Sequence, residues 1–185
     1  GNTDQGVFEF YSFIISKIPK IKIILYNFEK LSGFLFNIDI VKKLKKDFPK
    51  NIIGCKDSSY NLYKDLKIKD FLIFPGSEAK LKKALEQGCS GSISATLNVT
   101  HFLARKVFDD YEKKQLQTSD QKLISVREVF DNYNLISSLH SFLSIQNKNF
   151  ENLIPPLVVL NDIKKKELVD SLNKLHFTES KNIAA

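Results

Sequence analysis

Apolar and polar positions alternate between two periods along most of the chain. In "QGVFEFYSFIISKI" (5–18), Val7, Phe8, Phe10, Tyr11, Ile14 and Ile15 fall on one stripe at helical spacing, and Pro19 supplies a stop. "IKIILY" (21–26) is short, β-branched and apolar, as a strand is. "NIDIVKKLKKDF" (37–48) returns to the helical period behind Asn37, a natural N-cap. The same reasoning predicts a strand at 51–56, a short helix at 60–67 and a strand "FLIF" at 71–74, closed by Pro75-Gly76. A helix at 77–87 follows, with Ser77 as N-cap and Gly88 beyond its end, then a strand "GSISA" at 91–95. The next helix spans 98–114, with Asn98 as its cap. After residue 116 the pattern is helical: 118–146 with one break, then a loop at 147–160, then a helix at 161–174. Within that loop "NLIPPLVVL" reads as an extended segment held by Pro155 and Pro156, and the final "KNIAA" as a frayed tail.

Apolar strands separated by amphipathic helices predict an α/β protein with a parallel sheet covered by helices. No Gly-rich phosphate fingerprint follows any strand, which favours a (β/α) barrel over a nucleotide-binding doubly wound sheet. A (β/α)8 TIM barrel needs eight strands, and the pattern supplies four within residues 1–115, followed by a helical stretch over 116–185.

Composition trims the possibilities. An apolar fraction of 43% over 185 residues is enough for a core, and no apolar run approaches the roughly 18 residues of a membrane span. The polar start "GNTDQG" is no signal peptide, and Cys55 and Cys89, far apart and each in or beside an apolar run, read as reduced thiols of a cytoplasmic protein. His101, His140 and His176 lack metal-ligand spacing, so no metal and no cofactor are expected. The formal charge is +7, but only Arg105 and Arg127 are arginines, and the surplus reads as a global lysine bias interleaved with acids on helix faces. Arginine forks and aromatic platforms do not cluster, so neither nucleic acid nor membrane is an expected partner. The chain has no methionine, which together with the missing strands reads as a piece of something longer.

Candidate chemistry sits at the carboxyl ends of the strands, where barrels place their sites. The first strand ends on Tyr26-Asn27, the second on Lys56-Asp57-Ser58, the third on Gly76-Ser77-Glu78, and the fourth runs through Ile93 and Ser94 to Ala95-Thr96. Lys56 is the sharpest of these. As a structural residue it snorkels to solvent or pairs with Asp57. As a functional one it is an amine walled by Ile52, Ile53 and Cys55, able to attack a ketone and form a Schiff base. Tyr26 is either a core tyrosine with a satisfied hydroxyl or a proton relay.

"ILYNFEKLSG" (24–33), "IIGCKDSS" (52–59), "FPGSEAKLKKALEQGCSGSISATLNV" (74–99) and "NLIPPLVVL" (152–160) resemble the second half of the dihydrodipicolinate synthase / N-acetylneuraminate lyase family, in family order and near family spacing. The resemblance runs with gaps from about residue 5 to 175. It implies a (β/α)8 barrel of which residues 1–115 are the second half, the last four βα units, and 116–185 the C-terminal helical extension, commonly assembled as a tetramer of two tight dimers, and a metal-free Schiff-base lyase or aldolase acting on pyruvate or a related 2-keto acid and an aldehyde. It implies that Lys56 is the Schiff-base lysine, that Tyr26 moves protons to and from substrate, and that the backbone of Ile93 faces the keto acid. Leu31 stands where dihydrodipicolinate synthases typically carry an arginine for the aldehyde's carboxylate. By the same resemblance Ser58, Gly76 and Glu78 match sugar-contacting positions of sialic acid lyases, with Ser77 where those enzymes usually have aspartate and Ala95 where they often have serine. Glu78 equally suits a first-turn acid on a helix dipole. The family's first four strands, with the Ser/Thr pair that holds the keto-acid carboxylate, are not in this sequence. The readings that compete with an aldolase are a noncatalytic homologue or inactive fragment with a binding role, and a basic α/β domain on an anionic polymer.

Overall fold

A computed structural model of the chain describes residues 1–177; the tail "KNIAA" lies outside the described residues. The chain divides into two compact units, Gly1–Ile93 and a second that begins at Ser94.

The first unit runs α1 (Asp4–Lys17), β1 (Ile23–Asn27), α2 (Glu29–Ser32), α3 (Ile38–Asp47), β2 (Ile52–Asp57), β3 (Leu72–Pro75) and α4 (Leu81–Glu86). The strands form one sheet in the order β1-β2-β3, with both pairs parallel. The helices start where side chains can take the orphan N–H groups of a first turn. Thr3 accepts from Gly6 at α1, and Asn37 accepts from Ile40 at α3. In α3, Ile40, Val41 and Leu44 are buried while the lysines line the other side. That amphipathic face packs with Leu25, Cys55 and Ile73 of the sheet into the core of this unit.

Two expectations for this unit are corrected. The fourth strand does not form. Ser90 donates to the Ile73 carbonyl at 2.8 Å and Ile93 to that of Pro75 at 3.2 Å, so the segment tracks β3 without becoming a ladder partner. Gly91, at φ +142°, breaks the pleat between those bonds, and no strand among the described residues pairs with the far side. Three strands of the expected last four βα units form among the described residues. The short helix at 60–67 is also replaced, by turns, because the Asp57 carboxylate takes the N–H groups of Tyr60, Leu62 and Tyr63. The helix at 77–87 begins as a 3₁₀ turn, Glu78–Lys80, capped by Ser77, before α4.

The second unit contains α5 (Leu97–Glu112), α6 (Asp120–Asp131), α7 (Leu135–Leu143) and α8 (Asp162–Lys174). Leu123, Val126, Phe130, Phe142, Leu168 and Leu172 are buried in it. The break expected within 118–146 falls between α6 and α7, where Asn134 caps the new helix through Ser137. Asn98 is not a cap: it lies inside α5 and donates back to the Ala95 carbonyl at 2.8 Å. The α5 helix, read from the sequence with the barrel half, belongs by its contacts to this second unit. No helix among the described residues is long and apolar enough to cross a membrane.

Candidate active site

Period-2 alternation gives the sheet two unlike faces. Leu25, Asn27, Cys55, Asp57 and Ile73 point into the helix-covered side and are buried. Tyr26, Lys56 and Phe74 stand in one row on the other side: Tyr26 pairs with Lys56 in register, and Lys56 with Phe74. The Lys56 Nζ sits over the face of the Tyr26 ring, 4.2 Å from its centroid. Tyr26 is 42% exposed and Lys56 half-buried. The walls expected around Lys56 are therefore different. Cys55 faces the opposite side, Ile52 is closed into the core, and Ile53 sits at a bulge between the residues paired with Ile23 and Ile24. Tyr26 is the side chain that contacts the amine. A cavity of about 340 Å³ abuts Tyr26, lined also by Phe10, Tyr11, Phe34 and Phe36.

Asp57 does not pair with Lys56. Its carboxylate accepts from Asn27 Nδ2 at 2.8 Å and from the backbone N–H groups of Tyr60, Leu62 and Tyr63 at 2.8 to 2.9 Å. Asn27 also donates to Asn61 Oδ1 at 2.7 Å and accepts from the Phe36 N–H, while Asn61 donates to the Phe36 carbonyl. Both side chains of the Asn27–Asp57 register pair are fully buried. This network ties together the loops that follow β1 and β2, and so holds the backbone under Tyr26 and Lys56 in place. Sequence reasoning missed it as part of the site. The available signal was an aspartate ending a strand before Ser-Ser-Tyr-Asn, the composition of a side-chain-nucleated turn.

The other expected site residues gather at the same strand ends. A Cβ on Gly76 would lie 2.1 Å from Ser58 Oγ and 2.9 Å from Ser58 Cα, so only glycine allows the loops after β2 and β3 to touch there. Ser77 is buried, and its hydroxyl accepts from the Ala79 N–H. Glu78 is fully buried at the start of the 3₁₀ turn. Ile93 is 36% exposed, and its N–H is already engaged by the Pro75 carbonyl. Leu31, in the loop after Tyr26, is 73% exposed.

The buried thiol beside this row is chemically quiet. Burial, reinforced by the neighbouring Asp57 carboxylate, pushes Cys55 up to about 12 against a backbone hydrogen bond at Asn27 that lowers it. Cys55 and Cys89 are both free and buried. Among the described residues no group of three or more His, Cys, Asp or Glu side chains is placed to hold a metal ion.

Comparison with known proteins shows the family of the chain. The Dihydrodipicolinate synthetase family model matches residues 2–175. The 4-hydroxy-tetrahydrodipicolinate synthase of Wigglesworthia glossinidia brevipalpis is 29% identical over 177 residues, covering 90% of this chain and 57% of that protein. The N-acetylneuraminate lyase of Clostridium perfringens is 28% identical over 114 residues, covering 60% of this chain and 38% of that protein. The solved structure of the 4-hydroxy-tetrahydrodipicolinate synthase from Methylacidiphilum fumariolicum SolV superposes with a TM-score of 0.81 at 18% identity, over 100% of this chain and 64% of that one. The chain thus spans little more than half of the Wigglesworthia relative and less than half of the Clostridium one. With a family match over nearly its whole length and that fold around Tyr26 and Lys56, the chain belongs to the dihydrodipicolinate synthetase family.

Proposed function

We propose that this chain carries the reactive lysine of a Schiff-base lyase or aldolase acting on pyruvate or a related 2-keto acid, as the C-terminal part of a (β/α)8 barrel. One observation carries the reading: Lys56 and Tyr26 are register partners near the carboxyl ends of adjacent parallel strands, with the amine 4.2 Å from the ring centroid. An amine and a phenol so placed supply the nucleophile and the proton carrier that imine chemistry requires.

The Lys56 amine attacks the keto carbon and gives a carbinolamine. The Tyr26 hydroxyl delivers a proton to its departing oxygen, which leaves as water. The resulting iminium withdraws the electron pair of the adjacent carbon, so loss of a proton there, or cleavage of a carbon–carbon bond, leaves an enamine. The enamine adds to an aldehyde in the synthetic direction, and water then releases the product and restores Lys56. In this reading Ser58, Gly76, Ser77 and Glu78 shape the aldehyde end of the site, and the backbone at Ile93 borders the keto acid. Leu31, apolar and 73% exposed, favours a sugar-derived aldehyde over one bearing a carboxylate for an arginine to grip.

Intact-mass measurement after incubation with pyruvate and borohydride tests this. A reduced pyruvyl adduct mapping to Lys56 is expected, and Lys56→Ala abolishes it. A full-length protein that forms no adduct, or a Lys56→Ala protein with undiminished lyase activity, overturns the assignment.

A further inference from the structure

The lysine surplus is not spread over the chain. Segments 17–22 and 42–50 contain eight lysines against a single acid, Asp47, a surplus of seven that equals the formal net charge of the entire chain, +7. The rest of the chain, including all its other lysines, is electrically balanced. The fold brings these two segments together. Asn51 Nδ2 donates to the carbonyls of Pro19 and Ile21, both at 2.9 Å, Ile23 donates to the Asn51 carbonyl, and Lys22 Nζ donates to the Lys50 carbonyl. Lys20, Lys22 and Lys50 line a cavity of about 320 Å³ with Pro19 and Asn51. Seven of the eight lysines are exposed, and none is among the ion pairs of the described residues. Lys17, Lys45 and Lys46 also suit the negative ends of α1 and α3, but Lys20, Lys22 and Lys50 lie outside any helix.

We infer that this cluster, at the amino-terminal end of β1 and β2, is a binding surface for the phosphate backbone of single-stranded nucleic acid. Lysine ammoniums are compact point charges that neutralise phosphates without reading bases, which predicts sequence-independent, salt-sensitive binding. The concavity favours a flexible strand, whose phosphates can enter it, over a flat anionic bilayer. The surface is separate from the candidate active site: Lys56 lies four residues along β2 from Ile52, roughly 13 Å at the usual rise of a strand. This inference replaces the expectation of a global lysine bias, and it does not depend on the lyase reading.

The test is fluorescence anisotropy of a labelled oligothymidylate with the full chain between about 50 and 200 mM salt. Binding is expected at low salt, and log K should fall linearly with log salt. Replacing Lys20, Lys22 and Lys50 by Gln should weaken binding about tenfold or more at low salt and flatten the slope by about 2, at roughly 0.7 per phosphate contact. Replacing the same three by Arg should preserve binding, which separates lost charge from lost folding. Lys56→Ala should leave it unchanged. Replacing Lys64, Lys82 and Lys83 by Gln, an equal loss of charge elsewhere in the unit, should have little effect. No binding at low salt, an equal loss in that control, or capture by phosphatidylserine vesicles without oligonucleotide binding would each overturn the inference.

Discussion

The two faces of the three-stranded sheet are built on opposite terms. The helix-covered face closes over Leu25, Cys55 and Ile73, and even its polar members are sealed: Asn27 and Asp57 are fully buried with their hydrogen bonds made inside the protein. The other face leaves Tyr26 and Lys56 partly accessible, joined by a ring–ammonium contact and little else. Adjacent residues of one strand therefore do unrelated work. Asp57 holds the loops, and Lys56, one position earlier, stays available for chemistry. Stability and reactivity are separated by the strand's two-residue period rather than by distance.

That contrast is open to attack at several points. The largest effect on chemistry is expected from Lys56→Ala, which should eliminate borohydride-trapped adduct while shifting the urea midpoint little, since a partly exposed cation–π contact contributes only about 0.5 to 1 kcal/mol. The largest effect on stability belongs to its neighbour. Asp57→Ala strands four donors, three of them backbone N–H groups, and should cost about 3 kcal/mol or more in urea unfolding. If Asp57→Ala proved as mild as Lys56→Ala, the division between the faces would be wrong. Gly76→Ala should cost about 1 to 3 kcal/mol, because the new Cβ meets both the side chain and the Cα of Ser58. Adding Ser58→Gly should recover only part of that loss, since the Cα clash at 2.9 Å remains. Tyr26→Phe keeps the ring beside Lys56 and should leave the thermal midpoint within about 2 °C, while slowing adduct formation by about 10²-fold or more.

The smallest expected effect concerns pH. Folding raises the Cys55 pKa to about 12 from an ordinary thiol value near 8.5, so the folded state holds its proton more tightly than the unfolded one. That contribution is complete below about pH 8.5 and is lost as pH climbs towards about 12. Denaturation midpoints across this window should fall less steeply for Cys55→Ala, from a lower starting stability. Iodoacetamide at about pH 8 should label Cys55 only after unfolding.

Much of this was legible beforehand, for identifiable reasons. The strands at 23–27, 52–57 and 72–75 are short apolar runs, and α1 and α3 follow a clear helical period behind side-chain caps. The "GSISA" run looked like a strand because its composition permits one, but a strand exists only when a neighbour pairs with it, and Gly91 turns this segment out of the ladder. Residues 60–67 read as helix from the sequence but form turns, because local periodicity takes no account of a carboxylate that gathers three N–H groups from further along the chain. Lys56 and Tyr26 were recognisable as residue types at strand ends, but their contact, and the face each uses, were not.

What the sequence determined by itself is most of the elements, the caps at Asn37 and Ser77 and the identity of the chemical groups, because these depend on neighbours a few positions apart. Only the tertiary structure decided that Tyr26 stands in register with Lys56, that Asp57 turns inward to bind its own loop, and that two lysine runs twenty residues apart meet at one end of a β-pair. Those outcomes rest on strand register and on which face of the sheet the helices cover. Both are set by burying the apolar side of each element against partners remote in the chain, which no local pattern records.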